Sequence, residues 1–138
     1  MIVIVCVDDN GGMMFNHRRQ SQDRVLRQRV VEKCGKVYMN AYSGKQFQDH
    51  AESIVVSETF LDTAGQGNYV FVENLPLLPY MAKIEKIIVY RWNRAYPGDM
   101  KLDVDVSDWT LVSSEEFAGH SHEVITEDVY VPSAVSVL

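Results

Sequence analysis

The stretch Ile2-Val3-Ile4-Val5-Cys6-Val7 constrains this chain most. It is an unbroken apolar run in which five of six residues are β-branched. A strand with one wet face alternates apolar and polar residues, and this one does not. It therefore reads as a strand buried on both faces, as in the middle of a parallel sheet. Parallel neighbours need crossover connections, so the rest of the chain has to supply helices for both faces of that sheet.

The following residues supply them. Asp8-Asp9-Asn10-Gly11-Gly12 is turn chemistry, because Asn and Gly tolerate positive φ. Ser21 is a candidate N-cap for a helix running to Cys34, with Leu26, Val30 and Cys34 on one face and Gly35 as its stop. Strands are expected over 36–40, 54–56, 69–73 and 84–92. A short helix capped by Ser43 over 44–50 and another opening at Ser57 separate the first three of these. Residues 75–82 are apolar, but Pro76 and Pro79 limit them to a turn or a broken helix. After Pro97-Gly98 the texture changes, and residues 109–117 and 124–131 read as the two strands of a hairpin. The expected fold is α/β, with a mostly parallel central sheet, helices on both faces and an antiparallel C-terminal hairpin. At 138 residues the chain suits one domain over 1–138.

Composition is that of a globular chain, with 46% hydrophobic and 23% charged residues. The apolar opening is too short for a signal peptide, and no run approaches a membrane span, so a cytoplasmic location is expected and a membrane partner is not. Cys6 and Cys34 fit reduced thiols. A net charge of −6 argues against nucleic acid as a partner. The charge is uneven: residues 17–36 carry seven cationic and two acidic side chains, while residues 99–138 carry nine acids and one base. Two complementary solvated faces, or an anion site around the first helix, both account for this.

The element order, together with particular residues, resembles dihydrofolate reductase. Val7, Asp8, Gly12 and Met13 are similar to the end of that family's first strand and the mobile loop over its active site. Asp23 is similar in placement to the family's pocket carboxylate, which holds a pterin amidine, although the register also allows Arg24 there. KVYMNAYS resembles the second strand, IVVSETFLDTAGQGNYVFVE a strand–helix–strand unit, and DWTLVSSEEFAGHSHEVITEDVY the last hairpin. The resemblance implies a three-layer dihydrofolate-reductase-like fold and a bacterial-type protein.

The departures bear on activity. Where the family has Gly-Gly at the cofactor pyrophosphate, this chain has Glu73-Asn74-Leu75-Pro76. Where the family has Gly-Arg after the second strand, it has Asn40-Ala41; Ser43 alone keeps a hydroxyl like the family's Thr. The Trp-x-Leu-Pro stretch is replaced by Arg18-Arg19-Gln20-Ser21, and one strand with its Ser-Arg contact is missing. The expectation is that the fold is kept, that NADPH is not bound, that no other cofactor takes its place, and that reductase chemistry is absent.

The expected site is a degenerate cleft for a flat or anionic ligand, pterin- or nucleotide-like. Asp23 would be the residue kept at the former catalytic position, and Asp8, Asn10, Gly11, Gly12, Arg19, Asn40 and Ser43 would touch the ligand. A guanidinium fork such as that of Arg19 matches carboxylate or phosphate. His120-x-His122 puts two imidazoles on one strand face, too few for an expected metal. The absence of a His-x-His-x-Asp-His cluster likewise argues against a ribonuclease Z activity. The alternatives are a self-associating scaffold, such as a homodimer joined through Leu75–Met81, the acidic hairpin and the tail 131–138, or a reductase with an altered cofactor.

Overall fold

The computed structural model describes residues 1–133. Its larger sheet has seven strands: β1 (Ile2–Val7), β4 (Val37–Met39), β5 (Ile54–Val56), β6 (Tyr69–Phe71), β7 (Lys86–Arg91), β9 (Thr110–Phe117) and β10 (Ile125–Val131). They lie in the order β5-β4-β6-β1-β7-β10-β9. β1 is parallel to both its neighbours, β6 and β7, and β10 closes antiparallel against β7 and β9. The first strand is therefore central, as its composition requires. Its side chains alternate between two cores: Val3, Val5 and Val7 join one apolar cluster, and Ile4 joins the other.

Helix α1 (Arg24–Cys34) covers the second of these faces through Leu26, Val30 and Val31. The opposite face is covered by α3 (Phe60–Thr63), by Leu77 and Ile84 at the ends of a 3₁₀ turn, and by the methionines Met13 and Met14. Helix α2 (Ala41–Gln46) follows β4, and Phe47 at its end packs edge-on against Phe71 with ring centroids 5.0 Å apart. Together these elements make the three-layer α/β arrangement, with a mostly parallel sheet and the C-terminal hairpin.

Three expectations are corrected. The N-cap of α1 is Asp23, not Ser21, because the Asp23 carboxylate accepts from the N–H of Val25 and Leu26. Asn40 caps α2, and Ser43 lies inside that helix rather than before it. The stretch after Gly11 is not a plain loop. It forms β2 (Gly12–Phe15) and β3 (Arg18–Arg19), which join β8 (Met100–Lys101) in a separate three-stranded antiparallel sheet. The two-residue turn of that hairpin, Asn16-His17, has positive φ at both residues, as a tightly twisted hairpin needs. The stripe 75–81 serves the core: Leu75, Tyr80 and Met81 pack on it and Leu77 is buried, leaving Leu78 as the exposed apolar residue of that stripe.

Of the tail 131–138 in the scaffold reading, residues 134–138 lie outside the described residues. Among the described residues, no helix is long and apolar enough to cross a membrane, and both cysteines are free. Burial raises the Cys34 thiol to about 12, so it is a poor nucleophile.

Candidate functional site

The residues singled out from sequence fall into three groups. The first is the turn after β1. Asp8 is buried, and its Oδ1 accepts from the N–H of Asn10 (2.9 Å) and Gly12 (2.7 Å). Its Oδ2 accepts from the N–H of Tyr96 (3.0 Å) and from Gln20 Nε2 (3.3 Å). Burial alone would raise the Asp8 carboxyl, but these bonds outweigh it and hold the group below the ordinary range. Gly11 has φ +76°, and its N–H is bonded to the Asp8 carbonyl. A Cβ on Gly12 would sit 2.5 Å from Gln20 Nε2 and 3.0 Å from Asp8 Oδ1. The glycine pair thus lets the chain fold tightly around Asp8, and its N–H groups are spent on that turn.

The second group lies at the C-terminal end of the parallel strands, where α/β sheets hold their ligands. Its centre is Glu73, just beyond β6 and 8% exposed. Arg19, carried there by the β2–β3 hairpin, grips it with both arms: Nε to Oε2 at 2.8 Å and Nη2 to Oε1 at 3.1 Å. Ser43 Oγ donates to Oε1 (2.8 Å) and Gln46 Nε2 to Oε2 (3.2 Å). The Arg19 guanidinium lies 4.5 Å over the Tyr42 ring, and the Tyr42 hydroxyl accepts from the Arg19 N–H at 2.8 Å. Asn40 joins at one remove, through Asn74 Oδ1 (2.9 Å).

This cluster fills the cleft. The cavity among Cys6, Met13, Arg19, Phe71, Glu73 and Trp92 is about 10 Å³, room for a single water. A larger hollow of about 460 Å³ is lined by Met14, His17, Asn74, Asp99 and Met100, of which Met14 and Asn74 follow Met13 and Glu73 in the chain. Arg19, Asn40 and Ser43 are recognisable from the sequence, whereas Glu73 stands out there only as a departure from a glycine. Tyr42 and Gln46 carry no such signal, because nothing local ties them to a carboxylate some 30 residues away.

The third group surrounds Asp23, which is 1% exposed. Oδ1 accepts from Val25 N–H (2.9 Å), Leu26 N–H (3.3 Å) and His120 N–H (3.0 Å). Oδ2 accepts from Ser121 N–H (2.8 Å) and His122 Nδ1 (2.9 Å). Burial pushes this carboxyl up. The donors from His120, His122, Ser121 and Leu26 push it down further, so it stays ionised well below the ordinary range. His120 and His122 lie in the connection between β9 and β10, not on a strand. His122 is buried and stacks on Trp92 at 4.5 Å, while His120 meets Arg24 at 3.2 Å. Among the described residues, no group of three His, Cys, Asp or Glu side chains is placed to hold a metal.

Gly119 is what allows Asp23 to seat here. A Cβ on it would lie 2.7 Å from Asp23 Oδ2, 2.8 Å from the His122 carbonyl and 2.9 Å from Ile125. The His122 carbonyl is backbone and Asp23 Oδ2 is held by Ser121 N–H and His122 Nδ1, so Gly119→Ala is expected to cost about 1–3 kcal/mol. A lowered urea midpoint with an unchanged slope would show it; an unchanged midpoint would mean the loop simply moves aside.

The strand order, the parallel centre and the cleft at its C-terminal end define a dihydrofolate-reductase-like α/β fold. Among solved structures, the chain is similar to "Dihydrofolate reductase from Enterococcus faecalis complexed with NADP(H)and RAB-propyl", at TM-score 0.66 and 9% identity, over 94% of each chain. No family model and no curated protein matches it. The likeness is one of fold.

Proposed function

We propose that this chain is a non-reductase, small-ligand-binding module whose cleft is held shut by its own arginine. The supporting observation is the forked contact of Arg19 on Glu73 at the C-terminal end of the parallel strands. A guanidinium offers a carboxylate two parallel N–H groups. The 2-amino edge of a pterin or aminopyrimidine offers the same pair. A flat ligand of that kind can replace Arg19 on Glu73, with its body toward the hollow beside Asn74. The displaced Arg19 is then free for an anionic group on the ligand. NADPH has no part in this reading, since a carboxylate such as Glu73 disfavours a phosphate beside it.

Closure by an internal side chain weakens apparent affinity, because only the opened fraction binds. Arg19→Ala is therefore expected to bind 2,4-diaminopyrimidine or pterin at least about tenfold tighter than the native chain. Glu73→Gln is expected to abolish binding. Isothermal titration of the three proteins checks this. If neither the native chain nor Arg19→Ala binds any pterin or aminopyrimidine, the reading fails. Tight binding of NADPH would overturn its non-reductase half.

A further inference from the structure

A second constellation borders the same small cavity, which Ser21 and Trp92 line together with Arg19 and Glu73. Ser21 Oγ is 2.9 Å from His122 Nε2, and His122 Nδ1 is 2.9 Å from Asp23 Oδ2. An ionised carboxylate can only accept, so Nδ1 carries a proton; in the neutral ring Nε2 then has its lone pair toward the serine hydroxyl. The ring cannot easily turn, being 4% exposed and stacked on Trp92 with 23° between the planes. Asp23 is fixed in turn by four backbone N–H groups. Nucleophile, base and orienting acid are thus aligned within hydrogen-bond reach, the arrangement that defines an activated serine on any fold.

We propose that Ser21, His122 and Asp23 form an acyl-transfer site for esters with a short acyl group. Ser21 Oγ attacks the ester carbonyl carbon as its proton passes to His122 Nε2. The tetrahedral adduct collapses, the C–O bond to the alcohol breaks, and His122 returns the proton to the departing alcohol. Water, activated by the same nitrogen, then cleaves the acyl-serine to carboxylic acid and restores the hydroxyl. Asp23 keeps its charge throughout and stabilises the transient imidazolium. Among the described residues the N–H groups of Ser21 and Gln22 have no protein acceptor, and the proposal requires one or both of them to meet the oxyanion. A nucleophile's own N–H and the next one are donors used for this purpose in serine hydrolases.

The cavity that Ser21 lines leaves about 10 Å³, too little for even an acetyl group, so the proposal requires a small ester to reach the half-buried Ser21 from the solvent side. Tyr96 Oη also faces His122 Nε2, at 3.1 Å, and competes with Ser21 for its lone pair.

The test is p-nitrophenyl acetate with the intact protein, read as p-nitrophenol release and as the acetyl adduct located by peptide mass spectrometry. A fluorophosphonate probe serves as a second label. The native chain is expected to show a burst and a Ser21 adduct with both reagents. Ser21→Ala removes a half-buried hydroxyl with one hydrogen bond, so it should stay folded and release p-nitrophenol at least about a hundredfold more slowly. His122→Gln should lose the adduct while Ser21 remains, and Tyr96→Phe should raise the acylation rate. The proposal is overturned if Ser21 in the native chain takes neither label. It is equally overturned if Ser21→Ala matches the native rate.

Discussion

Replacing Asp23 by Ala should lower stability by roughly 3–5 kcal/mol, the range for removing one partner of a buried, fully bonded charge. The number has identifiable parts. The N-cap of α1 contributes about 1 kcal/mol. The N–H groups of His120 and Ser121 would lose their acceptor, at about 1–3 kcal/mol each when a buried donor is left unpaired. His122 would lose its orienting partner as well. The effect has a pH signature. Because the folded carboxyl lies below its unfolded value, its contribution is complete above the ordinary Asp range near ~3.9 and disappears as pH falls through the folded value. Asp23→Asn should therefore be clearly weaker than the native protein at neutral pH, and the two should converge in acid. Urea unfolding across that range checks this. Parallel curves at all pH values would show that Asp23 is not the charged anchor described here.

Replacing Glu127 by Gln should cost about 2–4 kcal/mol, again as the loss of a buried charge. Glu127 is 2% exposed on β10 and receives Tyr90 Oη at 2.6 Å, Arg29 Nε at 3.0 Å and Lys33 Nζ at 3.1 Å. Burial would raise its carboxyl, but the bonds from Arg29, Tyr90 and Lys33 lower it on balance. This one side chain ties α1 to the C-terminal hairpin. Lys33 contributes the smallest share, since it is 39% exposed and screened by water. Arg29 also meets Glu115, but that acid is 64% exposed, and Glu115→Gln should cost no more than about 0.5 kcal/mol. Thermal unfolding of the two variants side by side tests the contrast; equal losses would contradict the account.

The central strand, α1 and the last hairpin were legible because their signals are local: β-branched runs, an apolar helical face, paired strand segments. The cap of α1 was harder. Ser21 and Asp23 are both good caps within three residues, and the choice is made by His120 and Ser121, which approach from the far end of the chain. β2 and β3 are too short to leave a pattern, and their Asn16-His17 turn lacks the glycine that usually marks such hairpins. The candidate site suffered most. Arg19, Asn40 and Ser43 are legible as polar groups near the strand ends, but the buried acid that organises them looks, in sequence, like a lost glycine. Ser21 and His122 meet across 101 positions, so no spacing could have linked them.

The β9 edge carries a consequence for handling the protein. This strand has eight residues, seven of them exposed, among them Leu111 and Val112. It borders the sheet with one row of backbone groups facing water. Two features blunt it: the irregular register opposite Val129 and Tyr130, which leaves Val112 without a cross-strand mate, and the acids Glu115 and Glu116. Those acids insulate the border: they repel the same acids on a second copy that approaches edge to edge, and replacing both with glutamine would leave an uncharged template for another strand.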